Sequence, residues 1–381
     1  MYIIILVNTM KYKIDKTLII PILLFIFISL ISIYSSQKLL NENMNNLVYK
    51  QIMWYLIGFV LIIGIMFIKN KNIYKYIWIL YILGNILLGL LLIFGKEINN
   101  AKCWFDIPGI GTFQPSEFMK IVLILLLGKQ IDKFNNEHPL PSIKDELIFL
   151  FKIGFIVLIP SILTFLEPDT GVVLIYLLIT MIMLFIGGIR YRWFIILILI
   201  IIISISSVLI IYKLNQDLFI KIFGTSFFLR VDRLLDWQNQ SGYQLSNGLI
   251  SIGTASFFGH GFNQTPLYFP EAQTDFIFAV YSSNFGLIGS ILLLILIAYF
   301  DIKLINIAIK SNNNINKYII AGIVGMLIYQ QFQNIGMTYG LVPITGITLP
   351  FISYGGSSLL SYMIMLGIIF NISNENQKEI N

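Results

Sequence analysis

Long apolar runs separated by short polar segments dominate the chain of 381 residues. A run of about 18 or more apolar residues is long enough to cross a bilayer as a helix. The sequence predicts about ten spans of this kind, of which the fourth is short, and therefore an all-α polytopic membrane protein. The predicted spans lie near Leu18–Ile33, Ile52–Ile68, Tyr76–Phe94, Phe118–Leu127, Ile148–Leu166, Val172–Ile189, Trp193–Tyr212, Phe276–Phe300, Tyr318–Met337 and Leu349–Ile372.

Two of the polar connections are too long to be simple turns. One is Gly95–Glu117, and the other, residues 213–275, joins the seventh span to the eighth. Long connections in a compact protein are uncommon and often functional. The sequence has no evident internal repeat or second soluble domain, so residues 1–381 are predicted to form one transmembrane domain with a large extracytoplasmic loop at 213–275.

The positions of Lys and Arg set the predicted orientation. If the N-terminus is cytoplasmic, most Lys and Arg residues lie in cytoplasmic segments. Half of the Lys and Arg residues on the opposite side fall in the 213–275 loop. Because cytoplasmic connections are rich in Lys and Arg, both termini are predicted to be cytoplasmic, which requires an even number of spans. The apolar stretch before Lys11 is too short for a secretion signal, and the natural start is either Met1 or Met10.

Composition agrees with the membrane class and excludes other classes. Hydrophobic residues make up 57% of the chain and charged residues 12%, whereas soluble domains carry about 25% charged residues. The net charge of +6 is spread between the apolar runs, without a basic stripe interleaved with aromatics, so nucleic-acid binding is not expected. A single cysteine excludes an internal disulfide, and two distant histidines provide no zinc spacing.

Acidic residues are scarce, and most are predicted to lie near the outer face, where an ionisable group is costly unless it is paired or functional. Asp275 directly precedes an apolar run, and Glu271, four positions earlier, is predicted to bind substrate. Partial desolvation would raise the pKa of Asp275, which suits a general base. The alternative is a helix N-cap, which the local sequence alone favours.

Other polar residues also admit two interpretations. Glu117 and Lys120 are three positions apart on one helix face, as a structural ion pair or as part of a polar site. Asp169 lies in the turn Glu167–Gly171, where it either caps the next helix or faces a substrate.

Arg230 and Arg233 share a face if their part of the loop is helical. They could clamp a phosphate or pyrophosphate, or form salt bridges with neighbouring acids. Small residues in Gly346–Ser358, including Ser353 and Ser357, allow close helix packing or the approach of a polar headgroup.

Four ordered motifs resemble the SEDS family (shape, elongation, division and sporulation). They are Gly111–Lys120, Glu167–Gly171, Phe269–Ala279 and Leu349–Ser358. The resemblance implies a glycosyltransferase of the bacterial cytoplasmic membrane that polymerises lipid II beside a class B penicillin-binding protein. Asn334–Met337 is more similar to the elongation members, whereas Thr348 is more similar to the division and sporulation members, so elongation is predicted and division is the alternative.

The resemblance also implies roles for individual residues. Asp275 corresponds to the proposed catalytic aspartate and Trp104 to a tryptophan of the outer loop. Departures are Gln273, where members often have His, and Lys102-Cys103, where members often have an Arg. The mechanism it implies is a single inverting displacement at the anomeric carbon, with Asp275 as the base. Cations steady the leaving pyrophosphate, with or without a divalent ion such as Mg²⁺ or Mn²⁺. The candidate cations are Lys102, Lys120, Arg230 and Arg233.

Two rival functions are a transporter that flips lipid II and a scaffold without activity. A transporter is expected to carry ionisable groups along a path through the middle of the membrane. In this sequence they gather at the outer edge of the predicted spans, which favours chemistry at the surface.

Overall fold

The computed structural model describes residues 15–39, 46–98, 101–107, 111–225, 227–228, 231 and 242–380. The strands are β1 (Lys96–Ile98), β2 (Ala101–Ile107) and β3 (Gly111–Phe113). The helices are α1 (Lys16–Gln37), α2 (Leu47–Ile68), α3 (Asn70–Phe94), α4 (Pro115–Glu137), α5 (Ile143–Leu166), α6 (Thr170–Ile186), α7 (Tyr191–Leu214), α8 (Gln216–Phe223), α9 (Tyr243–Gly253), α10 (Ile277–Ile309), α11 (Asn314–Thr338) and α12 (Gly356–Ile380).

The prediction of a helical, multi-pass membrane protein is confirmed. Within the described ranges, seven helices are long and apolar enough to cross a membrane: α1, α2, α3, α5, α7, α10 and α12. Three further predicted spans correspond to α4, α6 and α11, of which α6 is apolar but only 17 residues long. The count of about ten spans and the single-domain organisation stay predictions.

The centre of the bundle contains two helices that bury polar side chains, α4 and α11. Helix α11 packs against α4, α6 and α10, while α12 packs against α2. Helix α4 buries Glu117 and Lys120, and α11 buries Gln330 and Asn334. Polar side chains at membrane depth need protein partners, which explains why α4 and α11 lie inside. In α7, by contrast, Tyr212 is the one buried residue, so the apolar surface of α7 is left for lipid.

A kink divides α10 near its N-terminal end. Gly286 has a φ of 63°, and a Cβ atom there would lie 2.3 Å from the main-chain nitrogen of Gly259. The kink frees main-chain carbonyls that need new partners. The loop before α10 supplies one, since the N–H of His260 donates to the oxygen of Ser283 at 2.9 Å. The kink thereby fixes the N-terminal end of α10 against this loop.

The two long connections contain more secondary structure than the all-α prediction with loops implied. Gly95–Glu117 holds a three-stranded antiparallel sheet in the order β1-β2-β3, and the 213–275 loop holds α8 and α9. Two predicted helix bounds are wrong. The last helix starts at Gly356, not Leu349, because residues 349–355 form turns that contact the segment before α10. Helix α6 ends at Ile186, not Ile189, at a turn formed by two glycines.

Candidate functional site

The segment Phe269–Asp275 forms tight turns immediately before α10. Its shape depends on Glu271, which has a positive φ of 53°. The main-chain oxygen of Glu271 accepts from the N–H of Phe276 at 3.0 Å. The side-chain Oε2 of Glu271 accepts from the hydroxyl of Thr274 at 2.6 Å and from Nε2 of Gln273 at 3.3 Å. Glu271, predicted to bind substrate, therefore shapes the segment in this structure.

The turn between α11 and α12 holds the same segment in place. The hydroxyl of Ser353 donates to the main-chain oxygen of Thr274 at 2.6 Å. The N–H of Tyr354 donates to the main-chain oxygen of Gln273 at 2.9 Å. Ser353 also accepts a bond from the N–H of Leu349 at 2.8 Å. Ser353 was predicted to bind substrate, and in this structure its hydroxyl is engaged by the main chain.

Asn334 joins these two parts of the site. Its Nδ2 donates to the main-chain oxygen of Asp275 at 2.9 Å and to that of Ile347 at 2.8 Å. We expect Asn334→Ala to destabilise the fold by about 1–3 kcal/mol, because the buried carbonyl of Ile347 and the partly buried carbonyl of Asp275 lose their donor. Any activity that depends on the carboxylate of Asp275 should fall with it, since the main chain of Asp275 loses its anchor. Thermal unfolding and product analysis measure both effects.

A matched control for this change is Asn72→Ala, because the exposed Asn72 also donates to a main-chain oxygen, that of Ile68, at 2.8 Å. Asn72 lies at the start of α3, away from the segment before α10. Equal losses of stability and activity in the two variants would contradict the anchoring role of Asn334.

The carboxylate of Asp275 does not act as a helix cap. Helix α10 begins at Ile277, its N-cap residue is Phe276, and no side-chain capping bond is present at this helix end. The capping interpretation favoured by the local sequence is therefore wrong. A Cβ atom at Gly346 would lie 3.5 Å from Oδ2 of Asp275, so the carboxylate points at the turn before α12.

The acidity of Asp275 is shifted toward neutrality. Burial, followed by the charges of Glu271 and Asp169, raises the pKa of Asp275 to about 7. A carboxyl with this pKa is partly ionised at neutral pH and is a stronger base than an ordinary aspartate. The geometry and the pKa of Asp275 both suit a general base.

Asp169 lies close enough to affect that charge, and it caps α6 as predicted. Its Oδ1 accepts from the N–H of Val172 at 3.1 Å, and its Oδ2 accepts from Nε2 of Gln114 at 2.9 Å. The N–H of Gln114 donates in turn to the hydroxyl of Ser357 at 2.9 Å. Burial and the charge of Glu117 raise the pKa of Asp169 to about 6, although the bond from Val172 opposes this. Ser357 was predicted to bind substrate, and in this structure its hydroxyl accepts a hydrogen bond from the main chain of Gln114.

Glu167 is a buried carboxyl that the sequence did not single out by itself. It is 0% exposed, and neither of its carboxyl oxygens has a hydrogen-bond partner within the described part of the chain. Burial, followed by the charge of Asp169, raises the pKa of Glu167 to about 8. Glu167 is therefore protonated at neutral pH, which limits the negative charge beside Asp169.

Glu117 and Lys120 form the ion pair that was one of their two predicted arrangements. Nζ of Lys120 lies 2.8 Å from Oε2 of Glu117, and the Lys120 side chain is fully buried. The ammonium also lies 5.7 Å from the centre of the Tyr362 ring. The ammonium of Lys120 is thus paired with a carboxylate inside the protein. Its predicted role in binding a pyrophosphate stays a prediction.

The remaining predicted site residues are not joined to these carboxyls by a described contact. Lys102 is exposed and Trp104 is partly buried in β2, which packs against α3 and α4. Between them, the buried Cys103 places Sγ 2.9 Å from the main-chain oxygen of Glu167, so β2 adjoins the site. Arg230 and Arg233 lie outside the described residues.

A metal ion has no preformed ligand set in the described residues, where no three His, Cys, Asp or Glu side chains are arranged to hold one. A divalent cation therefore has no assigned ligands among the described residues.

Asn334 and Gln114 are the site residues that the sequence did not identify as such. The signal that could have found them is an amide side chain within or directly before a predicted span.

The chain resembles known proteins over nearly its full length. The profile of the cell cycle protein family of FtsW, RodA and SpoVE matches residues 15–378. A protein named probable peptidoglycan glycosyltransferase FtsW, from Coxiella burnetii, is 32% identical over 97% of this chain and 99% of its own. Stage V sporulation protein E of Bacillus subtilis is 31% identical over 96% and 98%.

Solved structures agree with the fold. One chain of a peptidoglycan synthase complex that coordinates polymerization and crosslinking is 25% identical, with a TM-score of 0.77 over 95% of this chain and 98% of its own. The rod shape determining protein RodA of Thermus thermophilus is 23% identical, with a TM-score of 0.69 over 95% and 97%, a likeness of fold alone. The chain belongs to the FtsW, RodA and SpoVE family of cell cycle proteins.

Proposed function

We propose that the protein is a peptidoglycan glycosyltransferase that polymerises lipid II at the outer face of the bacterial cytoplasmic membrane. The observation that carries the proposal is the carboxylate of Asp275, which caps no helix and has a pKa raised to about 7. Relatives named as probable peptidoglycan glycosyltransferases support the reaction class.

In the proposed reaction, Asp275 accepts the proton of an acceptor sugar hydroxyl. The hydroxyl oxygen forms a bond to the anomeric carbon of the donor while the bond from that carbon to the pyrophosphate oxygen breaks. The electron pair leaves with undecaprenyl pyrophosphate, and the configuration at carbon inverts. Asn334 and Ser353 hold the main chain on either side of the carboxylate, so the base is positioned before substrate arrives.

Electrostatics suggest where the leaving group lies. Glu271 and Asp169 act on Asp275 as like charges, and a pyrophosphate beside them would add to the repulsion. The ammonium of Lys120 is already paired inside the protein. We therefore propose that Lys102 of β2 contacts the pyrophosphate, with Arg230 and Arg233 as the further candidate cations.

The setting follows from the same proposal. Both termini are placed in the cytoplasm, and the partner is a class B penicillin-binding protein that crosslinks the new strands. The structural neighbour from a complex for polymerization and crosslinking supports such a pairing. Elongation is the role predicted from the motifs, and the FtsW relatives make division the alternative. A tagged copy at the side wall or at the septum distinguishes the two.

The test is a pair of assays on one preparation of the full chain with its partner in proteoliposomes. Labelled lipid II added outside should yield glycan strands, and a fluorescent lipid II analogue should report flipping. Strands without flipping support the polymerase. Flipping without strands would favour the transporter, and neither activity would favour the scaffold.

A further inference from the structure

A cavity of about 180 Å³ lies between the end of α4 and the start of α5. Helix α4 starts beside Gln114 of the candidate site and runs 23 residues, about 33 Å at 1.5 Å per residue. The cavity is therefore at the opposite end of the bundle from Asp275. It is lined by Gln130, Lys133, Phe134, Glu137, His138, Asp145, Ile148, Phe149 and Lys152.

The two acidic residues of the cavity are engaged locally. Oε1 of Glu137 lies 3.5 Å from Nζ of Lys133, one helical turn away. Oδ2 of Asp145 accepts from the N–H of Ser142 at 2.9 Å in the capping box of α5. These contacts hold each carboxylate on its own helix end, and neither of them is an ion pair with Lys152.

Two nitrogen groups of the cavity remain without such partners among the described residues. Among the described residues, no carboxylate oxygen lies within 4.0 Å of the Lys152 ammonium, whereas Lys133 is paired with Glu137. Nδ1 of His138 is buried and makes no hydrogen bond. An ammonium and an imidazole facing one cavity suit an anionic ligand with several acceptor oxygens, such as a phosphodiester.

The position of Lys152 indicates where that ligand comes from. Lys152 is exposed in the middle of α5, a helix apolar enough to cross a membrane. Ile148, Phe151 and Phe155 are 57%, 72% and 67% exposed on the same helix. A lysine among lipid-facing residues extends its ammonium to the headgroup layer, where lipid phosphates lie. Stacked rings of Phe134 and Phe149, 4.2 Å apart, give the cavity an apolar wall.

We propose that this cavity binds the headgroup of a phospholipid, with Lys152 and His138 on its phosphodiester and the acyl chains along the exposed face of α5. The site is separate from the carboxyls around Asp275, so it does not depend on the glycosyltransferase assignment. Its ligand is a lipid of the leaflet at this end of the bundle.

The test uses the purified full chain with phosphatidylglycerol that carries a photoreactive diazirine on an acyl chain. Crosslinked peptides should map to α5 near Phe151 and Phe155. Lys152→Gln should reduce this labelling about fivefold, the effect of one lysine near an anionic headgroup. Lys152→Arg should retain it, and Lys144→Gln, an exposed lysine of α5 outside the cavity, should match the wild type.

Competition identifies the source of the phosphate. Unlabelled phosphatidylglycerol should displace the probe, whereas excess inorganic phosphate should not. Displacement by inorganic phosphate alone would replace the lipid with a soluble anion and overturn the proposal. Equal labelling of the wild type and Lys152→Gln, at matched thermal stability, would overturn it as well.

Discussion

Asp275→Asn should reduce the rate of lipid II polymerisation at least about a hundredfold, the lower bound for losing a general base. The amide keeps the size of the carboxylate but cannot accept the proton of the acceptor hydroxyl. The main-chain oxygen of residue 275 remains bonded to Asn334, so the loop should keep its shape. The measurement is strand length and rate from labelled lipid II, with the variant bound to its partner.

The control for this result is Asp106→Asn. Asp106 is exposed in β2 and is paired with Lys96 across the sheet at 2.6 Å, so the same change there should leave the rate within about twofold, as expected for an exposed ion pair. Asp106→Asn should unfold at the temperature of the wild type, and Asp275→Asn should unfold no lower, because it removes a carboxyl whose ionised form is disfavoured by burial. Strands of normal length and rate from Asp275→Asn would remove Asp275 from the role of base.

The helices could be predicted well from the sequence because their signal is local. An apolar run such as Ile148–Leu166 needs no partner to be recognised, and α5 contains all of it. The three-stranded sheet could not be predicted from the sequence, since β1 and β3 have three residues each. Such short strands are stabilised by pairing and not by a pattern of their own.

The site was predicted in part, and the division has a physical reason. Asp169 was expected to cap a helix and does so, because a cap is decided by residues three positions away. Asp275 was expected by the same rule to cap α10 and does not, because long-range contacts decide there. Asn334 lies 59 positions along the chain from Asp275 and holds its main chain, a contact that no local pattern encodes.

The pH dependence of polymerisation should show a steep acid limb. Since the pKa of Asp275 is raised to about 7, the rate should fall about tenfold per pH unit below that value, as the base becomes protonated. Loss of fold does not explain such a fall. The folded-state pKa values of Asp275 (about 7), Asp169 (about 6) and Glu167 (about 8) all lie above those of an unfolded chain, which are about 4.

These three carboxyls bind protons more tightly in the folded protein. Their contribution to stability is therefore fully present below the unfolded pKa values and is lost as the pH rises through the folded ones. Between about pH 4 and pH 8, the stabilisation that these carboxyls provide should thus fall with rising pH, whereas the rate should increase. Thermal unfolding across the same buffers measures the stability. A parallel fall of stability and rate at low pH would contradict the assignment of Asp275 as the base.

Glu271→Gln identifies the source of the acid limb. The charge of Glu271 is, after burial, the main cause of the raised pKa of Asp275. A neutral amide removes that charge, while its oxygen can still accept the bond from Thr274, so the limb should move to lower pH. Glu97→Gln, at an exposed residue of β1, should leave it in place. A limb that stays or moves to higher pH in Glu271→Gln would show that a group other than Asp275 titrates, and the base would have to be sought elsewhere.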